Sequence, residues 1–143
     1  MKDFHPFGEL LPNNSLASLT IDTAKQVYLA IEKNEHFELV ELRRLDKEGR
    51  FSEILVVDLK HGGIPAKNRI GINYQERLAL RIYQDPSIMP EVRAVREDFP
   101  VTMHLHGAAG EPKNLCLYFG PWMTVARSWT PENFLNRIIW WLV

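Results

Sequence analysis

Two apolar runs, His36–Leu45 and Phe51–Leu59, stand on either side of Asp46-Lys47-Glu48-Gly49. Val, Leu, Ile and Phe fill the runs, and an acid-rich tetrapeptide ending in glycine between them is hairpin chemistry. A pair of antiparallel strands is expected, and the chain is thereby constrained to a fold built on an antiparallel sheet.

The neighbouring segments extend that sheet and cover it. Beyond a loop containing Gly62, Gly63, Pro65 and Gly71, Leu78, Leu80 and Ile82 alternate with Arg77, Ala79, Arg81 and Tyr83 over Glu76–Gln84, which predicts a strand with one buried face, ended by Asp85-Pro86. After Met89-Pro90, Val92–Val95 reads as a fourth strand or extended segment. Val101, Met103 and Leu105 then alternate with Thr102, His104 and His106, so both histidines share the side opposite the hydrophobes if this piece is extended. Upstream, Ile21, Ala24, Val27, Tyr28 and Ile31 recur at helical spacing between Thr20 and Asn34. Asp22 is the expected N-cap, Asn34 the stop, and Gln26, Leu29 and Lys33 the outer face. Near the C-terminus Thr130 caps, Pro131 takes the first helical position, and Phe134, Leu135, Ile138, Ile139 and Leu142 form one stripe. Trp140 falls on the polar side of that helix with Asn133, Asn136 and Arg137; an irregular N-terminal arm, residues 1–15, is expected to cover it. The fold class is α+β: a helix, a four-stranded antiparallel meander, a loop segment holding the thiol, and a final helix on the same sheet face as the first. All 143 residues are expected to form one domain.

Charge and cysteine content narrow the function. Lys+Arg 17 against Asp+Glu 18 gives a net charge of −1, which provides little attraction for nucleic acid or anionic lipid. No apolar run is long enough for a membrane span, and Met1–Pro12 mixes charges with hydrophobes, unlike a signal peptide, so a cytoplasmic protein is expected. The single cysteine, Cys116, excludes an internal disulfide and a paired-cysteine zinc site.

Between Leu115 and Leu117, Cys116 reads on composition alone as a small buried hydrophobe. The loop Gly107-Ala108-Ala109-Gly110-Glu111-Pro112-Lys113 ahead of it offers a groove, and Lys113 favours a thiolate. His104 and His106 make two ligands at most, and His5, His36 and His61 lie at no metal-site spacing, so no metal is expected. The histidines also make a Cys–His pair conceivable. Gly62-Gly63 and Gly107–Gly110 lack the strand–loop–helix setting of a phosphate cradle, and no cofactor is called for.

Taken in order, the leading helix, the meander ending in Met89-Pro90-Glu91-Val92-Arg93, the histidine segment, Leu115-Cys116-Leu117 and Trp129-Thr130-Pro131 resemble the ubiquitin-conjugating enzyme fold, most closely its divergent bacterial members. The resemblance covers most of the chain. It implies that Cys116 forms a thioester with an activated C-terminal carboxylate and passes the acyl group to an amine. The family's His-Pro-Asn motif places a histidine about ten residues before the cysteine, the spacing of His106. Gly107-Ala108 replaces its Pro-Asn, which removes the asparagine associated with the oxyanion. His104, after Arg96-Glu97-Asp98-Phe99-Pro100, is the rival candidate, and Asn114 is a substitute amide.

The sequence ends with the helix that follows Trp129, so the last two helices of the eukaryotic fold are expected to be lacking. This resembles the stand-alone conjugating-enzyme-like proteins of CBASS anti-phage operons. There the resemblance implies the C-terminus of a cGAS-like nucleotidyltransferase as the acyl group; other relatives are fused to, or work with, an activating-enzyme domain, so any adenylation here is expected to come from a separate activating enzyme or to be bypassed. The alternative is a catalytically inactive variant that acts as a protein-binding module through Gln26, Leu29, Lys33 and the hairpin tip, with Cys116 in the core.

Overall fold

The computed structural model describes residues 4, 7–61, 75–96, 105–106, 113–115, 117–118 and 121–142, with Gln75, Leu105, His106 and Lys113 placed by their backbone alone. Among these residues seven strands form one sheet: β1 (Glu9–Leu10), β2 (Phe37–Lys47), β3 (Arg50–Lys60), β4 (Gln75–Tyr83), β5 (Glu91–Ala94), β6 (Leu105–His106) and β7 (Lys113–Leu115). Their order is β1-β2-β3-β4-β5-β7-β6, and each neighbouring pair is antiparallel. A 3-10 turn at Leu16–Ser18 and helices α1 (Asp22–Lys33), α2 (Trp122–Val125) and α3 (Pro131–Leu142) complete the described elements.

The sheet is wider than the expected four strands. The N-terminal arm adds β1 at one edge and the segment around the thiol adds β6 and β7 at the other. β1 and β7 are too short to leave an alternation in the sequence, whereas β6 is the end of the alternating Val101–His106 run, expected to be a strand only if extended. The hairpin is also tighter than expected: β2 and β3 remain paired to Lys47↔Arg50, so the loop is Glu48-Gly49 alone. Both loop residues have positive φ, 57° and 73°, as a two-residue turn matched to strand twist demands.

The helix α1 corrects the expected cap. Asp22 is its first residue, and the N-cap position belongs to Ile21, which has no side chain able to bond. Glu53 of β3 replaces it, accepting from the backbone N–H of Thr20 at 3.0 Å and of Ile21 at 2.7 Å. Asn34 ends the helix as expected. At α3, Thr130 Oγ1 accepts from the Asn133 N–H at 3.1 Å, the cap read from the sequence.

Leu55, Val57, Leu78, Leu80 and Val92 of the sheet meet Ala24, Val27 and Ile31 of α1 and Phe134, Leu135 and Ile138 of α3 in one core, so both helices lie on one sheet face. The other face is not open, as the alternation in β4 predicted. Ala79, Arg81 and Tyr83 are buried along with Leu78, Leu80 and Ile82. Ile54, Val56, Ala79 and Val95 form a second cluster there, with Phe7 of the arm packed on it. The arm is a strap across this face, bridging Arg96 at Phe4 and pairing with β2 through β1. The Phe4 ring lies 4.5 Å from the Arg77 guanidinium, and the Phe7 ring 5.7 and 5.2 Å from those of Arg81 and Arg93. Asp58 holds Arg77 through two bonds of 2.8 and 3.0 Å, so the covered face stores its charge in pairs. The strap thus lies opposite α3; Trp140 stays 58% exposed, against the expectation that the arm covers it.

Candidate active site

Of the three residues expected to carry chemistry, Cys116 and His104 lie outside the described residues, as does the loop 107–112. His106 is placed by its backbone in β6, where its register partner is Asn114 of β7. Asn114 is in turn opposite Arg93 of β5. Two pieces singled out in the sequence, the histidine segment and the approach to Cys116, are therefore neighbouring antiparallel strands.

The peptides on either side of Cys116 are held differently. On its N-side, β7 is wedged between β5 and β6, and Leu115 is buried in the main core. On its C-side, Leu117 is buried in the same core, and its carbonyl accepts a 2.6 Å hydrogen bond from Arg137 Nε of α3. That guanidinium lies 4.0 Å from the centroid of the Trp140 ring and 5.7 Å from that of Tyr118. It makes no ion pair among the described residues. Sequence reasoning placed Arg137 on the polar side of the helix and gave it no role. The available signal was its i, i+3 relation to Trp140, which puts a cation under an aromatic ring.

Aromatic rings continue from this point. Tyr118, Trp122, Trp129 and Phe134 touch in series, tilted, edge-to-face and tilted, at centroid separations of 6.4, 6.1 and 5.4 Å. Burial pushes the Tyr118 phenol above its usual ionisation range, the Arg137 charge opposing. Trp129 Nε1 is buried with no hydrogen-bond partner among the described residues. The short helix α2, which the sequence reading did not identify, is anchored by Trp122 Nε1 donating to the Pro86 carbonyl at 3.1 Å. The segment after the thiol is thus tied to the β4–β5 connection.

Elsewhere, His36 and His61 stack at 4.5 Å, and among the described residues no group of three or more His, Cys, Asp or Glu side chains can hold a metal ion. No described helix is long and apolar enough to cross a membrane. What the arrangement does chemically is fix main chain: strand pairing before position 116, and a cationic hydrogen bond after it. A family model described as prokaryotic E2 family A matches residues 29–143. No curated protein and no solved structure gives a match.

Proposed function

The chain belongs to prokaryotic E2 family A, whose general activity is that of a conjugating transferase with a protein as substrate, and on that premise we propose that Cys116 is its acyl-carrying nucleophile. The Cys116 thiolate attacks the activated carbonyl carbon of a protein C-terminus; the new S–C bond forms as the bond to the activating group breaks, giving a thioester. A lysine amine, its proton removed, then attacks the thioester carbon, and the thiol is released as an amide forms. His106 or His104 and nearby amides support the oxyanion in both steps. The donor we propose is the C-terminus of a cGAS-like nucleotidyltransferase, activated by a separate enzyme, in cytoplasmic anti-phage defence.

The observation that supports this reading best is that the family match, over residues 29–143, spans the histidine segment, Cys116 and α3. The test is intact mass, with and without reductant, of the protein co-expressed with its genomic neighbours, comparing wild type with Cys116→Ala. A thiol-labile adduct that disappears in the variant is expected, and its mass names the donor. A stable noncovalent complex with no adduct would replace the enzyme by a binding module.

A further inference from the structure

We infer that Arg137 is a positioning residue for acyl transfer, holding the main chain that follows Cys116 by its Nε–H bond to the Leu117 carbonyl; this rests on the reading of Cys116 as the acyl carrier. The geometry is unusual for a surface-side helix arginine. Its charge meets no carboxylate among the described residues and goes instead to a peptide oxygen at 2.6 Å and an aromatic face at 4.0 Å. A charged donor makes a shorter and stronger bond to a carbonyl than a neutral one. The guanidinium is planar, and its position between Tyr118 and Trp140 gives the Nε–H a fixed direction. The bonded carbonyl belongs to the residue immediately after Cys116, so the bond holds the Leu117–Tyr118 peptide one step from the proposed nucleophile. Helix α3 is anchored by Phe134, Leu135 and Ile138 in the core, so the restraint originates in the rigid part of the molecule. Transfer to a thiol depends on approach geometry, and small displacements of a reacting group carry large rate penalties.

The reaction used to test this is transthiolation from a glycine-terminated peptide benzyl thioester. Cys116 Sγ bonds to the acyl carbon, the donor C–S bond breaks, and the departing benzyl thiolate takes up the proton that the cysteine lost. Acyl-protein is followed by intact mass against donor concentration for wild type, Arg137→Met, Arg137→Lys, Trp140→Ala and Cys116→Ser, with thermal unfolding of each. Arg137→Met is expected to lower the maximal rate roughly tenfold with the half-saturating concentration unchanged, since the residue touches no substrate. Arg137→Lys, which keeps a cationic donor, restores part of the rate. Trp140→Ala, which leaves the donor but frees its direction, loses about threefold while remaining folded. The inference is overturned if folded Arg137→Met and Trp140→Ala both react at the wild-type rate, or if the loss falls only on half-saturation. That result leaves the acyl-carrier reading standing. A wild type that takes no acyl group, like Cys116→Ser, overturns both.

Discussion

Glu53→Ala removes the carboxylate that caps α1 from another element. Glu53 is 2% exposed, forms no ion pair among the described residues, and accepts from Thr20 N–H with both oxygens at 3.0 Å, from Ile21 N–H at 2.7 Å and from Thr20 Oγ1 at 3.3 Å. Losing an N-cap costs about 1 kcal/mol, and leaving a buried donor such as the Ile21 N–H unsatisfied costs about 2 kcal/mol more. The negative charge also complements the positive end of the helix dipole. A loss of about 3 kcal/mol follows, equivalent to a melting temperature lower by about 10 °C for a chain of this size. Glu53→Gln keeps one oxygen but turns an N–H toward backbone donors, so it loses about half as much. Circular dichroism melts and urea titrations of both variants measure this, with an unchanged urea slope showing that the unfolded state is not the cause. A Glu53→Ala melting temperature within about 2 °C of wild type would refute the assignment of Glu53 as the cap.

The two glycines of positive φ among the described residues separate strain from crowding. At Gly8 (φ 84°) an added Cβ meets the Arg44 carbonyl oxygen at 2.6 Å, whereas at Gly49 (φ 73°) it meets nothing within 4 Å. Gly8→Ala therefore costs about 3 kcal/mol by urea titration and Gly49→Ala about 1 kcal/mol; equal costs contradict the close approach of the strap to β2. Tyr118 and Tyr83 both ionise above the ordinary 10.0, chiefly through burial. Because the folded-state pKa is raised, the native state holds those protons longer than the unfolded chain. Stability is then flat below about pH 10 and falls as pH rises through the raised values. Urea midpoints against pH check the sign, and stability rising in that range rules it out.

How far the molecule could be read from its sequence depended on segment length and on which side of the sheet was in question. The α1 and α3 stripes and the β2–β3 hairpin run for ten residues or so, and long periodic segments carry their own evidence. β6 and β7 do not: Leu105–His106 and Lys113–Leu115 become strands only because each finds a neighbour. The covered outer face was hidden for a different reason. Arg77 and Arg81 in β4 read as solvent residues, and burial of arginine requires partners that local pattern cannot announce. Here Asp58 comes from β3, Glu91 from β5, and Phe4 and Phe7 from the arm. Asp22 was misread as the α1 cap because a suitable residue stood at the right place, while the actual acceptor lay 33 residues from Thr20. At the proposed site, the sequence singled out His106 and Asn114 but not their pairing across neighbouring strands, and the Arg137 contact, spanning 20 residues between a helix and an irregular segment, was not legible either.

Burial on both faces bears directly on the chemistry proposed at position 116. A sheet packed by helices on one side and open to water on the other can flex about its exposed face, but β3 is buried from Ser52 through Val57 and β4 from Glu76 to Tyr83 apart from Arg77. The strap therefore makes the central strands a stiff platform. β5 is built on it through Leu80↔Val92 and Ala79↔Arg93, and β7 is built on β5 through Arg93↔Asn114. Order reaches Leu115 along this ladder from one direction and Leu117 through α3 and Arg137 from the other. For the acyl carrier proposed between them, flanking main chain held on both sides lowers the entropy cost of reaching the transfer geometry relative to a free loop. By this argument, deleting residues 1–7, which include the strap residues Phe4 and Phe7, should weaken transfer at Cys116 through the platform, although no described strap residue lies on the α3 face; unchanged transfer by a folded deletion variant would disconnect the outer face from the chemistry.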